Sequence, residues 1–494
     1  MTMFFPRARG RNPFRVLYCL LPLWLATPAA AQLSPPWQLD PYGGVTNAVH
    51  QPAAGLAAPY RWEVNLVTAG AALDNDYAYL RSTSLAQLLR AARATGPSEG
   101  FPDEEAFDLN GVRFDYGYLD RNHHFALVGA DALGPAVSLR IGNYTRVGLY
   151  SRARALVSAR RVSGGLSSPT FNATPEEQPV PVGEIFLGGA GWAEAGLNLA
   201  RAIPVGADAE LRLGLNAKWW APVAAASLYN PDGGDLLRLT LDSIGTRNAT
   251  TTINLTDEIR EVDDTPPAKG RSYGLDLGLQ YAWYLLDDGS YRYSAGLSVT
   301  DLGRLSFTEH SQRHEFRNPG RIDVGGDPYA DVGSTDELLR TLSQQFNGDS
   351  LASLSGGSFM IGAPTAVGLQ FAVRATEAVQ FGVAYRGGLP GVGERLHPGT
   401  EVRAYAQYVK WWYGGGLNVG LSEWRYPNLG GYLRLGPLLL GSNHLLGTLL
   451  PAGRLRGADV YVGLRVHDLG LRKRRRRGRG SKRRRGREVR CYQF

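Results

Sequence analysis

Apolar and polar residues alternate along much of the chain. From Tyr273 to Leu285, one set of alternate positions holds Tyr, Leu and Trp, while the other holds mainly Gly, Asp, Gln and Ala. A turn signal follows at 287–290, and a second alternating run starts at Tyr291. Alternate residues of a strand face opposite sides. The pattern therefore predicts an antiparallel hairpin with one apolar face and one face of small and polar residues.

The same alternation recurs in other parts of the chain. The clearest further runs are 146–160, 211–219, 367–373, 379–385 and 460–466. Several runs reach ten residues or more, whereas strands of globular sheets usually have about five or six. Strands of outer-membrane barrels have about 9–11 residues with apolar side chains facing lipid. We therefore predict an all-β fold: a transmembrane antiparallel β-barrel of about 14 strands, with 12–16 possible, over residues 61–470.

A soluble β-sandwich or β-propeller would also show alternation. Many Gly residues and isolated charges on the polar faces favour a wet lumen, and no blade-like repeat is visible. Segments 84–94 and 334–346 have helical patterns, and the second opens with a capping box from Ser334 to Glu337. We expect these segments, and the polar stretch 228–270, to be loops or caps outside the membrane. Long loops lie on the outer face of such barrels.

The N-terminus has the pattern of a secretory signal. Arg7 to Arg15 are followed by the apolar stretch Val16–Ala26 and by Ala29–Ala31, which predicts cleavage after Ala31 and export to the outer membrane. A buried N-terminal helix is the alternative. Cys19 and Cys491 are the only cysteines. Cleavage would leave Cys491 alone, so an intramolecular disulfide is excluded in the mature chain.

The net charge of +8 is unevenly distributed. Residues 472–490 carry thirteen basic residues and one acid, whereas 32–471 carry 36 basic and 44 acidic residues. An acidic body does not favour nucleic-acid binding. We expect the Arg-rich tail 471–494 to be disordered and to meet peptidoglycan, anionic lipid or a periplasmic protein, while outer-membrane lipid surrounds the barrel.

Several charged residues fall on the polar faces and are candidates to face the lumen: Arg146, Arg152, Arg154, Arg160, Asp276 and Arg292. The four arginines lie on one strand, and an open row of guanidinium groups would attract anions. The alternative is that they pair with acids of neighbouring strands, such as Glu194 or Asp276, and fill the lumen.

Catalytic or metal-binding chemistry has little support in the sequence. His310 and His314 are spaced as i, i+4 but follow a strand, so we interpret them, like His123 and His124, as loop residues. No phosphate-binding loop is present. We predict no enzyme activity, no cofactor and no metal site.

Three segments resemble known barrels. Asn47–Ala53, followed by a strand from Arg61, resembles the N-terminal signature of FadL/PorV-like outer-membrane proteins. Thr300–Gly303 resembles a TDLG corner of Bacteroidota barrels, and 432–464 is similar to the closing strands of an uncharacterised Bacteroidota family of predicted outer-membrane barrels. The resemblance covers most of 43–466 and implies an outer-membrane barrel. The match to FadL itself is one of layout and transfers no fatty-acid site.

The segment 32–60 is predicted to be a periplasmic lead or a plug, with Asn47, Gln51 and Pro52 as plug candidates. Two functions remain open. One is a passive channel or transporter for a small anionic or amphiphilic solute. The other is an accessory barrel that docks a partner in secretion or surface assembly without transport. A continuous path or lateral opening would favour the channel, and a lumen filled by paired charges would favour the accessory barrel.

Overall fold

The computed structural model describes residues 35–84, 113–116, 123–166, 176–239, 243–256, 268–286, 290–325, 334–389, 393–449 and 452–468. The predictions for the signal segment 1–31, for most of the helical segment 84–94 and for the tail 471–494 lie outside these residues. Within them, no helix is long and apolar enough to cross a bilayer.

Fourteen antiparallel strands close into a barrel, which confirms the predicted fold class and strand number. Each strand pairs with its two neighbours, and the first pairs with the last, from Glu63 opposite His467 to Asp74 opposite Gly457. In order around the ring the strands are β1 (Trp62–Asn75), β4 (His123–Ile141), β5 (Thr145–Ser163), β7 (Ile185–Val205), β8 (Ala209–Asn230), β11 (Ser272–Leu285), β12 (Tyr291–Phe307), β16 (Ala366–Arg374), β17 (Val379–Gly388), β18 (Glu401–Val409), β19 (Tyr413–Ser422), β20 (Tyr426–Leu435), β21 (Leu438–Ser442) and β23 (Gly457–His467).

The two faces of the barrel wall differ as the alternation predicts. Along β11, Leu275, Leu277 and Leu279 are exposed, whereas Asp276 and Gln280 are buried. The other long strands repeat this pattern, with Leu and Val outside and polar or small residues inside. We call the outward residues the apolar belt.

Aromatic residues mark both edges of the apolar belt. At the end with short turns, Trp283 stacks between Tyr281 and Tyr293. At the other end, Tyr273 lies opposite Trp219. Ten residues separate Tyr273 from Trp283, about 34 Å along a strand. Barrel strands tilt by about 35–45°, so the height of the belt is about 25 Å, as in outer-membrane barrels.

The long connections all leave from the Tyr273 end and build an extension above the barrel. Its strands are β6 (Pro179–Val182), β9 (Gly234–Arg238), β10 (Ser243–Thr256), β13 (Ser311–Gly325), β14 (Leu354–Gly356) and β15 (Phe359–Gly362). A second sheet consists of β2 (Ala78–Thr83), β3 (Arg113–Tyr116) and β22 (Ala452–Leu455).

Part of the loop prediction was therefore wrong. The polar stretch around 228–270 contains strands, because β10 continues the hydrogen-bonding edge of β8 and pairs with β13 along thirteen residue pairs. The helix predicted at 334–346 is present as α2 (Thr335–Asn347), and the Ser334 side chain accepts a hydrogen bond from the Glu337 amide. The remaining helices are short: α1 (Val45–Ala48), α3 (Leu445–Leu449) and the 3₁₀ turns Ala54–Ala57 and Gly164–Leu166.

Candidate functional site

Residues 35–60, here called the plug, lie inside the barrel. Inward side chains from strands around the ring donate hydrogen bonds to its main chain. These bonds are Gln380 to the Leu39 carbonyl (2.9 Å), Arg465 to Gly43 (2.6 Å), Asn216 to Ala48 (3.0 Å), Asn198 to Pro52 (3.2 Å) and Arg140 to Leu56 (2.7 Å). The plug is thus tied to the wall on several sides of the lumen.

Two glycines allow the plug to start inside the barrel. Gly44 has a φ of 55°, and a Cβ at this position would meet the Glu63 carboxylate. That carboxylate on β1 also accepts a hydrogen bond from the amide of Val45, the first residue of α1. Gly43 lies against the Asn47 side chain in the same way, and Asn47 Nδ2 donates to the Asp40 carbonyl at 2.9 Å. The predicted plug residue Asn47 therefore stabilises the plug internally.

The other plug candidates contact the wall directly. Gln51 Nε2 donates to the main-chain carbonyls of Leu279 on β11 and Leu297 on β12, at 3.1 and 3.0 Å. The main chain at Pro52 and Ala53 lies where a Cβ on Gly214 would be placed. Gly278 and Gly296 on the next two strands also face Gln51. The small residues on the polar face thus make room for the plug.

Five charged residues on consecutive strands of the ring meet inside the barrel and form what we call the cross-lumen cluster: Arg154 on β5, Glu194 on β7, Lys218 on β8, Asp276 on β11 and Asp301 on β12. All are almost fully buried. Arg154 contacts Asp301 at 2.7 Å and Glu194 at 3.3 Å, and Lys218 contacts Asp276 and Asp301 at 2.7 Å each. Five strands are joined by these contacts.

The TDLG corner delivers Asp301 to this cluster. Asp301 has a φ of 57°, a conformation that Asp tolerates better than most residues, and the pairing of β11 with β12 shifts register here. Gly303 follows with a φ of 153°, and a Cβ there would collide with the Tyr273 carbonyl and the Trp220 ring. The bulge therefore turns the Asp301 carboxylate inward and lets Trp220 pack beneath it.

The other predicted lumen residues have varied surroundings. Arg152 binds the Asp131 carboxylate of β4, with Nε to Oδ1 at 2.7 Å. Arg146 is fully buried, lies 3.6 Å from Glu63 and donates to the plug carbonyls of Ala58 and Tyr60.

Arg160 and Arg292 are half-buried nearer the two ends of the barrel. Arg292 lies over the Tyr284 ring at 4.9 Å. At Arg146, Arg152 and Arg154 the guanidinium groups face carboxylates rather than an open, uncompensated lumen.

One section of the wall has incomplete strand pairing. Between Asn65 and Thr68 of β1, two rungs to β4 are missing, opposite Gly134 and Pro135. The pairing of β4 with β5 also shifts register there. Pro135 has no amide hydrogen to donate. We call this section the wall break.

Side chains hold the wall break closed. From inside, Asn65 Nδ2 donates to the carbonyls of Leu133 and Gly134 at 3.1 and 3.0 Å. The plug residues Val45 and Val49 pack there in an apolar cluster with Leu133, Ala136 and Tyr150. The lumen surface beside the break is therefore apolar, in contrast to the charged surface around Arg154.

The structure corrects the loop prediction for three histidines. His314 is not a solvated loop residue: it lies on β13, is buried and has ring contacts to Ser353 and Gln312 at 2.9 and 3.1 Å. His123 and His124 begin β4, and the buried His124 contacts Asp76. Strand pairing extends further into these polar segments than their sequence indicates. Among the described residues, no group of three or more His, Cys, Asp or Glu side chains could hold a metal ion.

A family of unknown function, DUF5723, matches residues 56–443. The chain belongs to this family. Comparison with curated proteins gives no match. That the chain comes from a Bacteroidota species stays a prediction.

Several solved outer-membrane proteins have a similar layout. The toluene transporter TbuX of Ralstonia pickettii is 11% identical, covering 89% of this chain and 94% of its own, with a TM-score of 0.34. The P. putida toluene transporter TodX is 9% identical, covering 86% and 95%, with a TM-score of 0.36. A FadL homologue of Pseudomonas aeruginosa is 10% identical, covering 89% and 98%, with a TM-score of 0.22. Function must be argued from this chain's own residues.

Proposed function

We propose that the protein is an outer-membrane barrel that acts as a passive channel for a small amphiphilic solute and that the plug holds it closed. The apolar belt and its aromatic edges provide the surface that a bilayer covers. The long connections then lie on the outer side and the short turns on the periplasmic side.

The wall break is the observation that carries this proposal. An uninterrupted barrel wall exposes no free backbone groups to lipid, so missing rungs are costly unless other groups satisfy them. Here Asn65 does so from the lumen side, next to the apolar contact of Val45 and Val49 with the wall. Movement of the plug would connect an apolar surface of the lumen to the bilayer through the break.

The amphiphilic class follows from the two lumen surfaces. The apolar cluster at the break suits a hydrocarbon portion, and the polar lumen suits a polar end. The paired arginines do not favour selection of simple anions, so the anionic alternative has less support than the amphiphilic one.

A locking experiment tests the channel. Cysteines replace Val49 and Leu133, in a chain carrying C491S, so that oxidation pins the plug at the wall break. The control pair replaces Ala153 and Ala193, which lie opposite each other on β5 and β7, in the wall rather than in the plug. Proteoliposome uptake of a fluorescent fatty amine should fall on oxidation of the first pair and return on reduction. Equal uptake by oxidised, reduced and protein-free vesicles contradicts the channel.

An accessory barrel is the second candidate, and the cross-lumen cluster favours it. Buried charges that join five consecutive strands inside the barrel oppose an open path along that side of the lumen. The V45D and V49D variants should then remain folded but show no uptake of the fluorescent fatty amine. If, in addition, the wild-type barrel co-purifies reproducibly with one exported protein from its own envelope, the accessory role is supported.

A further inference from the structure

The outer edge of the apolar belt carries an exposed basic patch on β11, β12, β15 and the residue preceding β11. We call it the rim patch, and its residues are Arg271, Tyr273, Arg304, Ser306 and Met360. Gly274 pairs with Gly303 and Ser306 pairs with Met360, which brings these side chains together on neighbouring strands. The question is what such a patch meets at this height on the barrel.

The rim patch lies where the apolar belt ends. Tyr273 is 75% exposed and shares its strand face with Leu275 and Leu277. By strand alternation, Arg271 lies on this face one step beyond Tyr273, and Arg304 shares the face of Leu302. The patch therefore extends the lipid-facing surface outward along the strands, two residues past the aromatic edge at Tyr273. In a bilayer this is the level of the headgroups.

The two arginines of the rim patch are available for an external anion. Both are exposed, and among the residues that the structure describes neither has a carboxylate partner. The nearby arginine of β13, Arg313, differs: it binds Glu394 through two bonds of 3.1 and 3.0 Å. That pair compensates the charge of Glu394, which lies beside this region.

A cleft of about 300 Å³ adjoins Arg304. Ser306, Ser358 and Met360 line it, together with the edge of Phe359 and the neutralised Arg313–Glu394 pair. Hydroxyl groups and a free guanidinium beside an apolar side chain are suited to a phosphate attached to an apolar body. The cleft is too small for a folded protein and large enough for the headgroup of a lipid.

We propose that the rim patch binds the phosphate of an outer-leaflet lipid headgroup. The phosphate would accept hydrogen bonds from Arg271, Arg304 and the Ser306 hydroxyl, and its acyl chains would lie along Tyr273 and Leu275. The inference rests on the membrane placement in the proposed function, but not on transport through the lumen.

Lipid binding to the purified full-length barrel in zwitterionic detergent tests the proposal. Native mass spectrometry would compare phosphatidylglycerol and diphosphorylated lipid A with phosphatidylcholine, for the wild type and for R271Q/R304Q. Each arginine near an anionic surface contributes about a fivefold factor, so the double variant should bind the anionic lipids roughly 25-fold more weakly. R271K/R304K should retain most of the binding.

The control is R317Q/R321Q, which removes two charges from β13, where both arginines are already paired with acids. An equal loss in the control would show a non-specific charge effect and overturn the site, as would wild-type affinity in R271Q/R304Q. Full competition by millimolar inorganic phosphate would assign the site to free phosphate instead. If the wild type selects anionic lipids but does not take up the fluorescent fatty amine, the result would contradict the proposed channel and leave the lipid site supported.

Discussion

Arg154 on β5 donates a hydrogen bond from each terminal guanidinium nitrogen to the Asp301 carboxylate on β12, with N–O distances of 2.7 and 2.9 Å. Three strands of the ring lie between β5 and β12, so this pair joins strands that are not neighbours in the wall. Lys218 on β8 contacts the same carboxylate at 2.7 Å. The barrel interior is therefore cross-braced by buried ions, in addition to the hydrogen bonds of its wall.

D301N should destabilise the folded barrel. The substitution breaks the buried ion pairs of Asp301 with Arg154 and Lys218 and can turn an amide NH2 toward one of these cations. Breaking a buried ion pair typically costs about 3–5 kcal/mol. Urea titration of the heat-modifiable folded band measures this loss. D323N is the matched control, because Asp323 pairs with Arg321 at the surface, where such pairs contribute about 0–1 kcal/mol. Similar midpoints for both variants would contradict a bracing role for the cluster.

G44A should displace the start of the plug. Ala at a φ of 55° costs about 1–2 kcal/mol, and its Cβ would in addition overlap the Glu63 carboxylate. Limited proteolysis should cleave the plug faster in G44A than in the wild type. G206A separates the cost of the backbone conformation from the overlap with Glu63, because Gly206 has a φ of 65° in a turn and open space around it. Equal protection of the plug in both variants would show that the Glu63 contact is unimportant.

N65A should loosen the wall break. The buried carbonyls of Leu133 and Gly134 would lose their donor, at a cost of about 1–3 kcal/mol. Hydrogen–deuterium exchange should rise in β4 around 130–138 and stay unchanged in β18, and probe uptake should increase. N254A is the control, because Asn254 is also fully buried, but its amide donates to the Ser227 hydroxyl in the extension, away from the break. Unaltered exchange in β4 would mean that Asn65 does not hold the break.

The strands and their number could be predicted because alternation is a local property of the sequence. Leu275 and Asp276 are adjacent in the sequence and differ in polarity, because one faces outward to lipid and the other faces inward to a polar lumen. The pairing of Arg154 with Asp301 could not be predicted, because it joins residues 147 positions apart through a bulge. A lone polar strand position gives no information on its partner across a lumen.

The extension was missed for a related reason. Strands such as β10 (Ser243–Thr256) are rich in Thr and Asn and lack an apolar face, because they stand above the belt and contact no lipid. Their pairing is determined by the neighbouring strands β8 and β13. The wall break likewise had only Gly134–Pro135 as its signal, and the missing rungs become visible only when β1 and β4 are paired.

A pH-dependent contact connects the segment 393–400 to the outer rim. Glu423, in the turn between β19 and β20, contacts His397 at 3.0 Å and accepts the Thr400 amide at 2.6 Å. Burial alone would raise the pKa of Glu423, but the His397 contact and the Thr400 amide hold it below the ordinary value of 4.5. A carboxylate with a lowered pKa stabilises the fold fully above its unfolded pKa, and this contribution is lost as the pH falls through the lower folded value.

E423Q should therefore differ from the wild type in a pH-dependent way. The wild type should have the higher urea midpoint above pH 4.5, and the difference should shrink as the pH falls below it, because protonated Glu423 resembles Gln. E309Q removes the carboxylate of an exposed residue and should not reproduce this profile. A midpoint difference that stays constant from pH 7 to pH 3 would show that the ionised Glu423 contributes nothing, and the segment would then be held by its main-chain bonds, such as Leu396 to Gly362 at 3.0 Å.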